Sequence, residues 1–128
     1  MTVQERIDAH RAAQLKKRLY AVFWINDPNS TRAQHLEVLP DHLDFLMDLE
    51  KQGILFASGP FSMPDGVTQT FNGMTILRAD SYVAVQKLLE REPFVSSGLR
   101  TYQLHAWDLN EGSFTVTLSF GSGAFQVP

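Results

Sequence analysis

At 128 residues the chain is long enough for one domain around one hydrophobic core, and 44% apolar with 20% charged residues separates it from disordered chains. Lys and Arg number 11 against 14 Asp and Glu, a net charge of −3, so no basic field favours nucleic acid or anionic lipid. The absence of cysteine excludes disulfides, thiolate metal sites and a cysteine nucleophile, and fits a reducing compartment.

The first twenty residues carry charges throughout and no apolar segment, so neither a secretory signal nor a membrane span is expected, and a cytoplasmic location is. Residues 3–18 read as a helical arm with a thin apolar stripe of Val3, Ile7, Ala12 and Leu15. Its basic residues, Arg6, Arg11, Lys16, Lys17 and Arg18, outnumber Glu5 and Asp8. A solvated helix face accounts for them better than an anion-binding surface does.

Leu19 to Ile25 is aromatic, aliphatic and nearly continuous, and the turn residues Asn26, Asp27, Pro28 and Asn29 close it. That pattern predicts a first strand in the sheet interior. Ser30 or Thr31 can cap a helix carrying Leu36, Leu39, Leu43, Leu46 and Leu49, ending before Gly53. Pro40 interrupts it, which predicts either a kink or a short first turn followed by a second helix that opens with Pro40. Residues 54–61 read as a second strand, 63–72 as a turn-rich loop and 73–77 as a third strand. Asp80 or Ser81 caps the next helix, through Val83, Val85, Leu88 and Leu89, which gives way at Glu92-Pro93. Residues 100–108 then alternate as a fourth strand, with Tyr102, Leu104 and Ala106 on one face and Thr101, Gln103, His105 and Trp107 on the other. Phe114 to Phe120 and Ala124 to Val127, separated by Gly121-Ser122-Gly123, predict a terminal β-hairpin.

The resulting β-α-β-β-α-β order is the split βαβ, ferredoxin-like α+β arrangement, preceded by an arm and followed by a hairpin. Two helices cover one face of a four-stranded antiparallel sheet and leave the other for the tail hairpin or a second subunit. A homodimer is therefore expected.

No dinucleotide-binding glycine motif, phosphate loop, His-Glu-x-x-His or Gly-x-Ser-x-Gly occurs, which leaves histidines, carboxylates and turn polar groups to carry chemistry. His35 and His42 are seven residues apart and would share a face of an unbroken helix, with Asp41 or Asp44 nearby. Pro40 breaks that geometry and no recognised ligand spacing is present, so no metal is expected. His10 and His105 read as surface or hydrogen-bonded histidines. His42, between Asp41 and Leu43 at the start of an amphipathic run, can sit at the helix–sheet boundary, where a carboxylate would tune it for proton transfer. From the pattern alone, a hydrogen-bonded boundary histidine accounts for it better.

Four segments occur in order: Leu19 to Asp27, Arg32 through Leu39-Pro40-Asp41-His42-Leu43, Gly53 to Pro60 with Ser58-Gly59-Pro60, and Glu92-Pro93-Phe94-Val95 with Gly98. As an ordered set over about residues 19–108 they resemble the YciI-like family. The resemblance divides the chain into a helical arm (1–18), a YciI-like domain (19–108) and a hairpin extension (109–128). It implies a dimeric α+β barrel, related in shape to muconolactone isomerase, with a histidine/carboxylate centre in a cleft between sheet and helices. Some members isomerise small ring compounds or eliminate chloride from them.

The family histidine corresponds to His42. The family usually has Asp before Pro-Phe/Tyr-Val where this chain has Glu92, one methylene longer, and Asp27 is the other candidate carboxylate. Ser58 and Gly59 could offer a hydroxyl and a backbone N–H to an oxyanion, or form a plain strand-ending turn. Phe23, Trp24, Phe61 and Phe94 could wall a pocket or fill the core. The function expected is cofactor-independent acid–base chemistry, an isomerisation or elimination on a small cyclic or aromatic substrate. The alternative is a non-catalytic module that binds a small molecule or a partner. An open cleft with His42 bonded to a carboxylate favours the first; a filled or dry cleft with His42 facing solvent favours the second.

Overall fold

A computed structural model describes every residue, Met1–Pro128. In chain order it contains α1 (Val3–Ala13), β1 (Lys17–Asn26), α2 (Arg32–Lys51), β2 (Leu55–Ser62), β3 (Gln69–Leu77), α3 (Tyr82–Leu89), α4 (Pro93–Ser96), β4 (Arg100–Leu109), β5 (Thr117–Ser119) and β6 (Ala124–Gln126). These fall into two compact units: Arg18–Asp108, and the two termini, Met1–Lys17 with Leu109–Pro128.

In the larger unit the strands lie in the order β2-β3-β1-β4. β3 runs antiparallel to β1, with Tyr20 opposite Leu77 and Trp24 opposite Gly73, and antiparallel to β2, with Leu55 opposite Leu77 and Pro60 opposite Gly73. Arg18 Nε donates to Asp108 at one end of the β1–β4 pair, and Asp27 N donates to Leu99 O at the other, so this pair is antiparallel too. This is the ferredoxin-like α+β topology.

Strand alternation decides which residues meet the helices. Tyr20, Val22, Trp24 and Leu77 cluster with Leu49 of α2 and with Val85 and Leu89 of α3, so both helices cover one face of the sheet. Leu77, Val85 and Leu89 are sealed from solvent, each worth about 1.5–3 kcal/mol of apolar burial. On the opposite face Phe23 meets Phe61 and His105, while Ile25, Phe61, Met74 and Trp107 are exposed.

The structure corrects several sequence expectations. α2 is a single helix through Pro40, not two. Thr31 caps it, in a reciprocal pair with Gln34, and burial of His35 before Pro40 and of His42, Leu46 and Leu49 after it outweighs the ring's cost of about 3 kcal/mol. Strand β3 starts at Gln69, because Asp65 draws the preceding loop tight by accepting from Val67 N, Thr68 N and the Thr68 hydroxyl. Ser58-Gly59-Pro60 is not a turn but lies inside β2, where Pro60 is tolerated because β2 is an edge strand.

In the smaller unit α1 stops at Ala13, short of the expected Arg18. Leu15 N then donates to Asn110 O, tying the arm to the tail. The hairpin is restricted to Thr117–Ser119 paired with Ala124–Gln126.

Candidate active site

A cavity of about 730 Å³ opens between α2, β2, β3 and α4, floored by Trp24 and Gly73 of the sheet. The i, i+7 spacing that puts His35 and His42 on one side of α2 turns both into its lining. Backbone approach shapes the floor: a Cβ on Gly73 would lie 2.6 Å from Gly59 O.

His42 is held from behind. Its Nδ1 lies 2.5 Å from Oε1 of Glu92, a residue with no exposed surface. Glu92 reaches this position because it caps α4: its backbone is extended, Pro93 fixes the first helical residue, and Val95 N donates to Oε2 at 3.0 Å. An ionised carboxylate only accepts, so Nδ1 carries the shared proton. The other ring nitrogen, Nε2, bonds to no protein group and is not among the sealed unpaired atoms, so it opens to the cavity. The His42 ring packs 4.8 Å from Phe94.

His35 has a different environment. Its ring lies between Phe71 and Phe94, with centroids 5.4 and 5.3 Å away. Ser30 Oγ donates to Asp27 O, so the His35 Nε2–H, 2.8 Å from Ser30 Oγ, donates to that oxygen. Burial, and then the charge of Arg100, lower its pKa below the ordinary histidine value.

Arg100 completes the wall. Its guanidinium lies over Phe94 at 4.3 Å and near Trp24 at 5.2 Å, and it donates to Phe71 O at 3.2 Å. On the sheet Trp24 Nε1 donates to Thr75 Oγ1, which shares a second hydrogen bond with Ser58 Oγ at 2.8 Å.

Of the residues singled out in the sequence, His42, Ser58, Gly59, Trp24 and Phe94 line the cavity, Glu92 stands behind His42, and Phe61 lies against Phe23 outside the lining. Asp27 and Phe23 do neither. Asp27 Oδ1 accepts from Asn29 N in the turn after β1, and Phe23 points to the far side of the sheet because its neighbour Trp24 points inward. No group of three or more His, Asp or Glu side chains is arranged to hold a metal. Arg100 and the lining role of His35 were not read from the sequence. The signal for Arg100 was present, since it shares the alternation of Tyr102 and Leu104, the face that packs on the core.

The chain thus sets a buried His-carboxylate pair beside a cavity on a ferredoxin-like sheet. The family model for the YCII-related domain matches residues 19–108, and the chain belongs to that family. Among solved structures it is similar to the 5-chloro-2-hydroxyhydroquinone dehydrochlorinase of Burkholderia phenoliruptrix AC1100 in complex with 2,5-dihydroxybenzoquinone. The two are 22% identical with a TM-score of 0.58 over 70% of this chain and 92% of that one, which is a likeness of fold. No curated protein matches this chain.

Proposed function

We propose that this protein is a cofactor-independent enzyme of the isomerase or lyase type that transfers a proton on a small cyclic or aromatic substrate, with His42 as acid and base. One observation carries the reading: His42 presents Nε2 to an open cavity while Glu92, fully buried, holds Nδ1. A base needs a free lone pair facing the substrate and a partner that stabilises the imidazolium once the proton arrives. Glu92 supplies the second, and its additional bond from Val95 N keeps it in place.

In an elimination, His42 Nε2 takes a proton from the ring, the freed electron pair forms the new π bond, and chloride leaves with its own pair. In an isomerisation the same proton returns to a different atom of the ring. The likeness to a dehydrochlorinase supports the first as the starting point for substrate search. We further propose that the chain is a homodimer, supported by the exposed Ile25, Phe61, Met74 and Trp107 on the helix-free face of the sheet. No helix of the chain is long and apolar enough to cross a membrane.

The test is a screen of hydroxylated and chlorinated ring compounds, with no cofactor added, following chloride release and the ultraviolet spectrum. Turnover by the wild type, lost in His42→Asn, supports the reading. Binding of ring compounds without any turnover sinks it in favour of a binding module.

A further inference from the structure

The cavity contains a charge that the proton-transfer reading does not use. Arg100 is only 9% exposed, yet its guanidinium has five N–H donors and a single protein hydrogen bond, from Nη2 to Phe71 O. Nε is sealed and has no partner at all. Nη1 bonds to no protein group and is not among the sealed atoms, so it faces the cavity that Arg100 lines.

No carboxylate answers this charge. Glu92 acts on Arg100 through space, but both its oxygens are engaged elsewhere, by His42 Nδ1 and Val95 N. The faces of Phe94 and Trp24 attract the cation through their ring quadrupoles without satisfying the N–H groups. Glu50, the acidic residue that lines the cavity, makes no ion pair. A buried cation with donors left over is costly unless something arrives to meet it.

We propose that Arg100 is the anion-recognition residue of the cavity, and that the substrate is a planar ring compound bearing an anionic oxygen, a carboxylate or a ring oxyanion. The aromatic walls explain the planar part. Phe71, Phe94 and Trp24 flank the guanidinium, so an oxygen held at Nη1 would bring a flat ring against apolar surface with His42 Nε2 on the same cavity wall. A ring oxyanion also gains from Arg100 as negative charge grows on it when His42 removes a proton. The inference rests on reading this cavity as a substrate site, and it adds the charge of what enters.

Two matched pairs of probes test it by titration calorimetry: benzoate against benzamide, and 4-nitrophenolate against 4-nitroanisole. At least one anion is expected to bind wild type about tenfold or more tighter than its neutral analogue, the worth of one charge-assisted hydrogen bond. Preference for benzoate alone assigns a carboxylate and preference for 4-nitrophenolate alone a ring oxyanion; either supports the proposal. Arg100→Gln should erase the preference, and His42→Asn should keep it. Equal binding of anion and neutral analogue by wild type, or a preference that survives Arg100→Gln, overturns it.

Should Arg100→Gln fail to fold, the Nε–H resonance of Arg100 in the wild type gives the answer. It should move on adding benzoate or 4-nitrophenolate and stay still with the neutral analogues; no movement with either anion overturns the proposal. The two readings fail separately. An anion preference without turnover of any substrate leaves the Arg100 site standing and removes the enzyme, whereas turnover of neutral rings without that preference removes the site alone.

Discussion

His42 and Glu92 are fifty positions apart in the chain, and their side chains meet at 2.5 Å, the imidazole lining a cavity and the carboxylate closed off from solvent behind it. The bond determines which ring nitrogen faces outward. It also makes each residue's removal costly to the other.

His42→Ala and His42→Asn should therefore differ in stability more than in activity. Alanine leaves Glu92 buried without its partner, a loss of about 3–5 kcal/mol. Asparagine keeps an amide N–H near the position of Nδ1 and should recover most of that stability while still lacking a base. Urea denaturation of both variants measures the difference, and equal destabilisation would mean that the bond to Glu92 adds little to the fold.

His35 should make stability depend on pH. Its pKa is lowered in the fold, by burial first and by Arg100 second, so protonation is easier in the unfolded chain. Stability contributed by neutral His35 is full above the ordinary value of 6.5 and is lost as pH falls below it toward the lowered folded value. Thermal melting between pH 7.5 and pH 5, compared with His35→Gln, should show a shallower fall in the variant. Parallel curves would remove His35 as the cause.

Gly73→Ala should cost about 1–3 kcal/mol, because the added methyl meets the backbone of β2 at Gly59 O and Pro60 Cα, where no side chain can swing away. Its φ is ordinary, so the effect is steric rather than conformational. A melting temperature unchanged from wild type would show that β2, an edge strand, shifts freely.

Self-association should bury at least about 1,000 Å². Sedimentation at micromolar concentration should give dimer mass, and Trp107→Lys, which puts a charge on the exposed apolar face, should shift the balance toward monomer. Monomer mass for the wild type throughout that range contradicts the dimer.

Much of this architecture was legible because the sequence signals were local. The continuous apolar run of β1 and the alternation of β4 identify interior and two-faced strands, and Thr31 and Ser81 cap helices where the pattern expects a start, whereas Glu92, read only as the point where α3 gives way, caps the unexpected helix α4. What could not be read depended on tertiary packing. Pro40 breaks an isolated helix, and only the sheet beneath α2 carries the helix past it. Asp27 and Glu92 are equivalent as acids in the sequence. The cap on α4 turns one toward His42, whereas the turn after β1 keeps the other on Asn29. Arg100 shares the core-facing alternation of β4 but stands at its first residue, where a charged residue ordinarily reaches solvent, so its burial was not read.

The most direct test of the central claim, that Glu92 orients His42 for proton transfer, is the tautomer of the His42 ring, read from its ¹⁵N shifts at a pH where the ring is neutral. The wild type should carry its proton on Nδ1 and leave Nε2 bare. In Glu92→Gln the amide oxygen can stay on Val95 N, which turns its NH₂ toward Nδ1 and should move the ring proton to Nε2, with turnover falling about 10²–10⁴-fold. The same tautomer in wild type and Glu92→Gln would contradict the account.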